Sequence, residues 1–161
     1  MAVDQFLKLD KIDGEAQDKS HPKEIDVLAW SWGMSQSGTT HMGAGGGSGK
    51  ASFQDLSVTK YVDNASMTLM KYVSDGKHIP KAKLTVRKAG GTPLEYIIID
   101  MEDVIVTSIS TGGSGGEDRL TENVTFNFSK VKTTYVPQGD DGKGGAAVDF
   151  GYDIAANTPW S

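Results

Sequence analysis

Three kinds of group in this sequence could carry chemistry: histidines, clustered carboxylates, and glycine-rich loops that expose backbone N–H groups. The histidines are His21, His41 and His78. All fall in polar stretches and no two share a short ligand spacing, so they read as surface histidines rather than a metal site. Glu117, Asp118 and Glu122 lie near Arg119. A carboxylate pair there could cleave a glycosidic bond. The simpler expectation is a charged loop exit, with Arg119 paired to a neighbouring carboxylate. The stretch ending Gly49-Lys50 resembles the end of a phosphate loop, but Ala44 stands where the first glycine belongs and Ala51 where a hydroxyl is needed. No helix follows it to meet an anion. Gly112–Gly116 fails the dinucleotide pattern, because Asp118 occupies the last glycine position. No Gly-x-Ser-x-Gly elbow occurs. Trp30 and Trp32 could stack a sugar, yet their place beside Leu28 and Met34 favours a core role. The residues therefore predict no catalytic site, no cofactor and no metal.

The elements that would carry these residues are those of one β-rich domain spanning 1–161. The chain has 161 residues, 20 glycines, no cysteine and a formal net charge of −5. It therefore has no disulfide to lean on. The charge argues against nucleic acid, which needs a concentrated basic face. The first residues lack the long apolar run of a secretory signal, and no segment approaches the about 18 apolar residues of a membrane span. The expectation is a protein made in the cytoplasm without membrane insertion.

Val3 to Leu9 reads as a first strand and 10–23 as a loop. Glu24 to Met34 follows, with Leu28, Trp30, Trp32 and Met34 on a heavy face expected to be core. Ile25, Val27, Ala29, Ser31 and Gly33 form its lighter face. Residues 35–50 are an extended arm with six glycines, longer than compact domains keep without use. Ser52 to Val62 is strand-like, with a bulge or bend between Phe53 and Leu56. One amphipathic helix is expected over about 64–75, capped by Asn64 and ended by Gly76, with Ala65, Leu69, Tyr72 and Val73 on its buried stripe. Strands follow at 81–88, 94–101, 104–109, 120–136 and 146–154, with a break at Glu102-Asp103. Inside 120–136 the apolar phase slips after Phe128, which predicts a bulge. Short strands, glycine turns and one helix predict a mainly β fold, either a β-barrel or two packed sheets.

Several long strings carry a resemblance. They are Asp18-Lys-Ser-His21, Glu24-Ile-Asp-Val-Leu-Ala-Trp-Ser-Trp-Gly33, His41-Met42-Gly43, Lys83-Leu-Thr-Val-Arg-Lys88, and the block from Ser110 through Gly112-Gly-Ser-Gly-Gly-Glu-Asp-Arg-Leu-Thr-Glu-Asn123. In order and spacing the sequence resembles the haemolysin-coregulated protein family, Hcp, of the bacterial type VI secretion system, and the match is weakest after Pro137. The resemblance implies a β-barrel of two packed antiparallel sheets with one α-helix, whose subunits form six-membered rings stacked into a tube. It further implies a surrounding contractile sheath, a VgrG-type spike, small effector proteins in the lumen, and export by injection. It makes the arm and the Gly112–Gly116 region the candidates for ring stacking or subunit contact: Gln36, Thr39, His41, Met42, Gly45, Lys50, Ser114, Glu117, Asp118 and Arg119. Ser31 and Ala29, on the light face of the Trp strand, are candidates for a lumen or effector contact. The same two residues could equally face solvent or a seam between subunits.

Overall fold

The computed structural model describes residues 3–38, 50–89 and 92–161. Its strands are β1 (Val3–Leu9), β2 (Ile25–Ser31), β3 (Met34–Ser35), β4 (Ser52–Phe53), β5 (Leu56–Tyr61), β6 (His78–Lys88), β7 (Leu94–Thr111), β8 (Thr121–Tyr135), β9 (Val148–Asp153) and β10 (Thr158–Pro159), with one helix, α1 (Ser66–Asp75), between β5 and β6. The order β8-β5-β2-β1-β6-β7 closes on itself, because β7 also pairs with β8. Every pairing is antiparallel. The result is the expected β-barrel, and closure removes most of the sheet edge that an open sheet would expose.

On its edge away from β7, β8 serves two neighbours. Its first half, from Thr121 to Phe126, pairs with β5, and its second half, from Lys130 to Tyr135, pairs with β9. The slip in apolar phase is shared by three paired strands, with Ile79 and Ala82 on β6, Met101 and Val104 on β7, and Phe128 and Val131 on β8 all buried, and β8 keeps its register there. The bulge instead lies on β7 at Thr107, between the pairs Val106–Phe126 and Ser108–Thr125. The expected break at Glu102-Asp103 is likewise corrected, since β7 runs unbroken from Leu94 to Thr111. Asp103 takes a left-handed φ of 54° there. It sits between pairs that flank Pro80 on β6, and proline has no N–H to give the ladder. Aspartate tolerates that conformation better than most residues. His78 Nδ1 lies 2.6 Å from its carboxylate, a contact that holds the Asp103 carboxyl below its ordinary value.

The Trp strand is corrected most. Val27 pairs with Lys60 and Ala29 with Thr59, so Leu28 is an extra residue in a bulge. The inward phase shifts across it. Ile25 and Val27 are core, whereas Leu28 and Met34 are 42% and 46% exposed. After the bulge Trp30 and Trp32 turn toward the core, as expected, and Ala29 and Ser31 face out. Gln5 Nε2 donates to the carbonyls of Val27 and Leu28 at 3.1 and 3.0 Å, which satisfies backbone that the bulge leaves without a strand partner.

The helix begins at Ser66 rather than at an Asn64 cap. The Asp63 carboxylate accepts from Ala65 N–H, and Ser66 Oγ accepts from Asp63 N–H. Gly76 ends the helix with φ 66°, as expected. Ala65, Leu69 and Tyr72 are buried, but Val73 is exposed at the stripe's margin. Of the expected arm, residues 39–49 lie outside the described residues. Its two feet meet, since Met34 pairs with Phe53 and Ser35 with Ser52.

The 10–24 loop is a strap across the outside of β1 and β6. Leu7 and Leu9 point into the barrel, so Phe6 points out, and it is nevertheless 4% exposed. The His21 ring stacks on Phe6 with centroids 4.5 Å apart, and the Arg87 guanidinium lies 5.1 Å from the same ring. His21 is thus buried, which corrects the surface expectation. Gly14 makes the strap possible, for a Cβ there would lie 2.5 Å from the Glu24 carbonyl oxygen. Arg87 also binds Asp18 at 2.6 Å and Asp4 at 3.0 Å. Its hydrogen bond lowers the Asp18 carboxyl from 3.8 to about 2. A depressed carboxyl stabilises the fold above its ordinary value and loses that contribution as pH falls through about 2. Asp18→Asn should therefore flatten the acid limb of the stability curve between about pH 4 and pH 2. Urea unfolding at several pH values measures this, and an unchanged acid limb would refute it.

Candidate functional site

On the outer side of β2, β5, β8 and β7, alternation puts small uncharged residues opposite a heavy inner side. Two complete rows cross all four strands. One runs Ser31–Ser57–Thr125–Ser108 and the next Ala29–Thr59–Asn123–Ser110. Beneath them Trp30, Val58, Val124 and Ile109 form the matching row against the core. The strand period of two thus produces a smooth polar wall and the core that backs it.

The wall's polar atoms bond chiefly to one another. Thr59 Oγ1 donates to Asn123 Oδ1 at 2.7 Å. The hydroxyls of Ser108 and Thr107 lie 2.6 and 2.7 Å from Thr125 Oγ1. Asp55 accepts from Thr107 Oγ1 at 2.7 Å and from Asn127 Nδ2 at 2.9 Å. No residue of either row is charged. Charges stand at the ends of the wall. Asp55 closes one end, and at the other Arg119 lies 3.7 Å from the Tyr61 ring centroid, with Glu117 and Asp118 exposed beside it. A shallow hollow of about 150 Å³ lies between Ala29, Ser31, Ser57 and Thr59.

Among the described residues the carboxylate bonded to these hydroxyls is Asp55, through Thr107, while His21 and His78 are held elsewhere by Glu24, Glu95 and Asp103. Among the described residues no group of three His, Cys, Asp or Glu could hold a metal. The carboxylate-pair reading fails on geometry. Glu122 points inward, 1% exposed, and its Oε1 lies 3.1 Å from the ammonium of Lys60, itself 1% exposed. That ammonium also donates to Asp63 at 2.9 Å and Ser66 at 3.3 Å, so the cluster ties α1 to β5 and β8. Glu117 and Asp118 remain outside, on the loop. The two tryptophans are half-buried and line an apolar cavity of about 490 Å³ with Ile97, Tyr135 and Phe150. Trp32 packs against Phe53 and Phe128, both at 6.4 Å, and its Nε1 is buried.

Of the candidate contact residues, Ser31 and Ala29 lie together on the wall. Gln36 and Lys50 are exposed at the feet of the arm, near the β5 N-terminal end of the wall. Ser114, Glu117, Asp118 and Arg119 are exposed in the β7–β8 connection, at the opposite end. Thr39, His41, Met42 and Gly45 lie outside the described residues. Ser57, Thr59, Asn123 and Ser108 belong to the wall but do not stand out singly in the sequence. Their signal was small polar residues at every second position in several strands.

Trp160 also finds its place. Its backbone N–H donates to the Gly151 carbonyl at 3.1 Å, and the Lys130 ammonium lies 5.6 Å from its ring.

The fold that carries this wall is a closed antiparallel barrel with one helix. The chain matches the family described as "Type VI secretion system effector, Hcp" over residues 6–135. It is 60% identical over 159 residues to "Protein hcp1" of Pseudomonas aeruginosa, covering 98% of each chain. Among solved structures it is similar to one described as a type six secretion system protein, with 34% identity, 99% of this chain and 100% of that one covered, and a TM-score of 0.93. It is also similar to Hcp1 from Salmonella typhimurium, with 41% identity, coverage of 99% and 100%, and a TM-score of 0.81. The chain belongs to the Hcp family of type VI secretion proteins.

Proposed function

We propose that this chain is a tube subunit that closes into a six-membered ring, stacks ring on ring, and uses its polar wall as the lining of the channel. The two uncharged rows carry the reading. A lining of small, mutually bonded hydroxyls and amides offers passing protein little to grip. Shallow hollows such as the one beside Ser31 leave room for a few specific contacts with a small effector.

Edge geometry supports ring closure. Among the described residues, β2 has no partner on its β1 side after Val27, and β7 has none on its β6 side after Ile105. The four-strand wall thus ends in a free edge on each flank. Two different edges on one subunit suit a head-to-tail contact, which closes into a ring when the rotation fits. Stacking draws support from the placement of the candidates at opposite ends of the wall. The arm would meet the Gly112–Gly116 region of the next ring. A contractile sheath outside, a VgrG-type spike at the tip and export by injection complete the reading.

The test is a native mass measurement with negative-stain microscopy. A ring gives several times the 17.2 kDa of one chain and annular particles. A strictly monomeric particle at every concentration would overturn the proposal. Ser31→Gln should leave the annulus intact and abolish co-purification of cargo. Loss of the annulus would instead place Ser31 at a seam.

A further inference from the structure

We propose that His21 is a proton-operated latch. As an imidazolium it fastens the 10–24 strap to β7, and loss of its proton opens one of the two fastenings. The inference comes from counting donors. His21 Nδ1 lies 2.8 Å from Glu24 Oε2, and Nε2 lies 2.6 Å from Glu95 Oε1. Both partners are carboxylates, which accept and do not donate when ionised. A neutral imidazole has one N–H and one lone pair. It can serve one carboxylate, and it turns a lone pair on the other at contact distance. An imidazolium has two N–H groups and serves both, each as a charge-assisted bond.

The surroundings favour the same state. The groups facing the ring are Asp18 and Glu24 from the strap, Glu95 from β7, and Phe6 from β1, with Arg87 of β6 and Asp4 of β1 gathered around Phe6. Four carboxylates meet one guanidinium, so a second cation lowers the local excess of negative charge. The two fastenings also have different tasks. Glu24 lies on the strap itself, close to the start of β2. Glu95 lies on β7, paired with Arg87 of β6. Of the two His21 contacts only the one to Glu95 reaches another element, where it adds to the Arg87–Asp18 pair and to the bond that Asn64 N–H donates to Glu15. The strap's own bonds, from Gly14 N–H to Lys23 O at 2.7 Å, Ala16 N–H to Glu24 O at 2.9 Å and Lys23 N–H to Ala16 O at 2.8 Å, shape it without attaching it.

The sign follows. The fastened state holds a proton that the half-open state releases. Fastening is therefore complete while both ring nitrogens carry protons and weakens as pH rises and one proton leaves. The latch lies on the strap side of the barrel and stands whether or not the chain forms rings.

Hydrogen exchange at the amides of Gly14, Ala16 and Lys23, measured from about pH 5.5 to 8.5 across the imidazole range and corrected for intrinsic rates, reads the opening. Opening should rise on the order of tenfold toward the alkaline end, the factor expected for losing one charged hydrogen bond. The rise should track the ring resonances of His21. Glu95→Gln supplies the decisive comparison at a side chain 41% exposed, where folding is not at risk. A glutamine amide can donate to the lone pair of a neutral ring while Nδ1–H serves Glu24. Its strap should stay protected with no pH slope. A flat profile in the parent chain, or the parent's slope retained in Glu95→Gln, would overturn the latch.

Discussion

Lys60→Met should lower folding stability by about 3–5 kcal/mol, the cost of breaking a buried ion pair by removing one partner. Methionine matches the length of the lysine stem, so packing changes little. What changes is electrostatic. Glu122 and Asp63 keep their carboxylates in a place where Lys60 is 1% exposed, with no ammonium to answer them. Glu122 Oε2 already has no hydrogen-bond partner, so the site has no reserve. Because the cluster joins β5, β8 and the start of α1, its loss should loosen the helix as well as the wall. The double substitution Lys60→Met with Glu122→Leu should recover most of the deficit, because a buried pair replaced by apolar groups is often neutral. Urea unfolding of the parent, single and double variants measures both effects. A single-variant loss under about 1 kcal/mol would mean that water reaches the cluster.

The second large effect separates neighbours on one strand. Ile25→Ala should cost about 2–5 kcal/mol, as for other fully buried large-to-small changes. Leu28→Ala should cost no more than about 0.5 kcal/mol, as for an ordinary surface position. The same unfolding experiment ranks them. The opposite ranking would require Leu28 to point inward and would remove the bulge.

These two predictions also mark how much of the molecule was readable from its residues. Strand positions were legible wherever apolar alternation was unbroken, as in β1, β6 and the first half of β8. The β-rich class, the helix and the end of that helix at Gly76 followed from local rules, whereas closure of the barrel came with the family resemblance. The side of β2 that faces the core was not legible, because a bulge is a property of a pair of strands and Leu28 carries no mark of it. His21 and Glu122 were misplaced for a related reason. Both are polar residues in polar strings, and their burial depends on partners far along the chain, Glu95 for one and Lys60 for the other. Ser31 and Ala29 were legible as an outward light face. The two full rows they belong to were not, since the rows exist only once register aligns four strands. The continuity of β7 through Asp103 was hidden by a strong turn signal that pairing overrides.

The sharing of β8 between β5 and β9 has a consequence for how the chain reaches its fold. From His78 onward, β6, β7, β8 and β9 follow one another as a meander, each pairing with the next. These contacts are near in sequence and cost little chain entropy to close. The pairings β1–β6 and β5–β8 join residues far apart, such as Leu7 with Leu84 and Val58 with Val124. The C-terminal meander can therefore assemble as a template before the barrel exists, with β9 holding only the far half of β8. The near half of β8 stays vacant until β5 arrives, so wall, core row and Lys60 cluster all form in that one late closure.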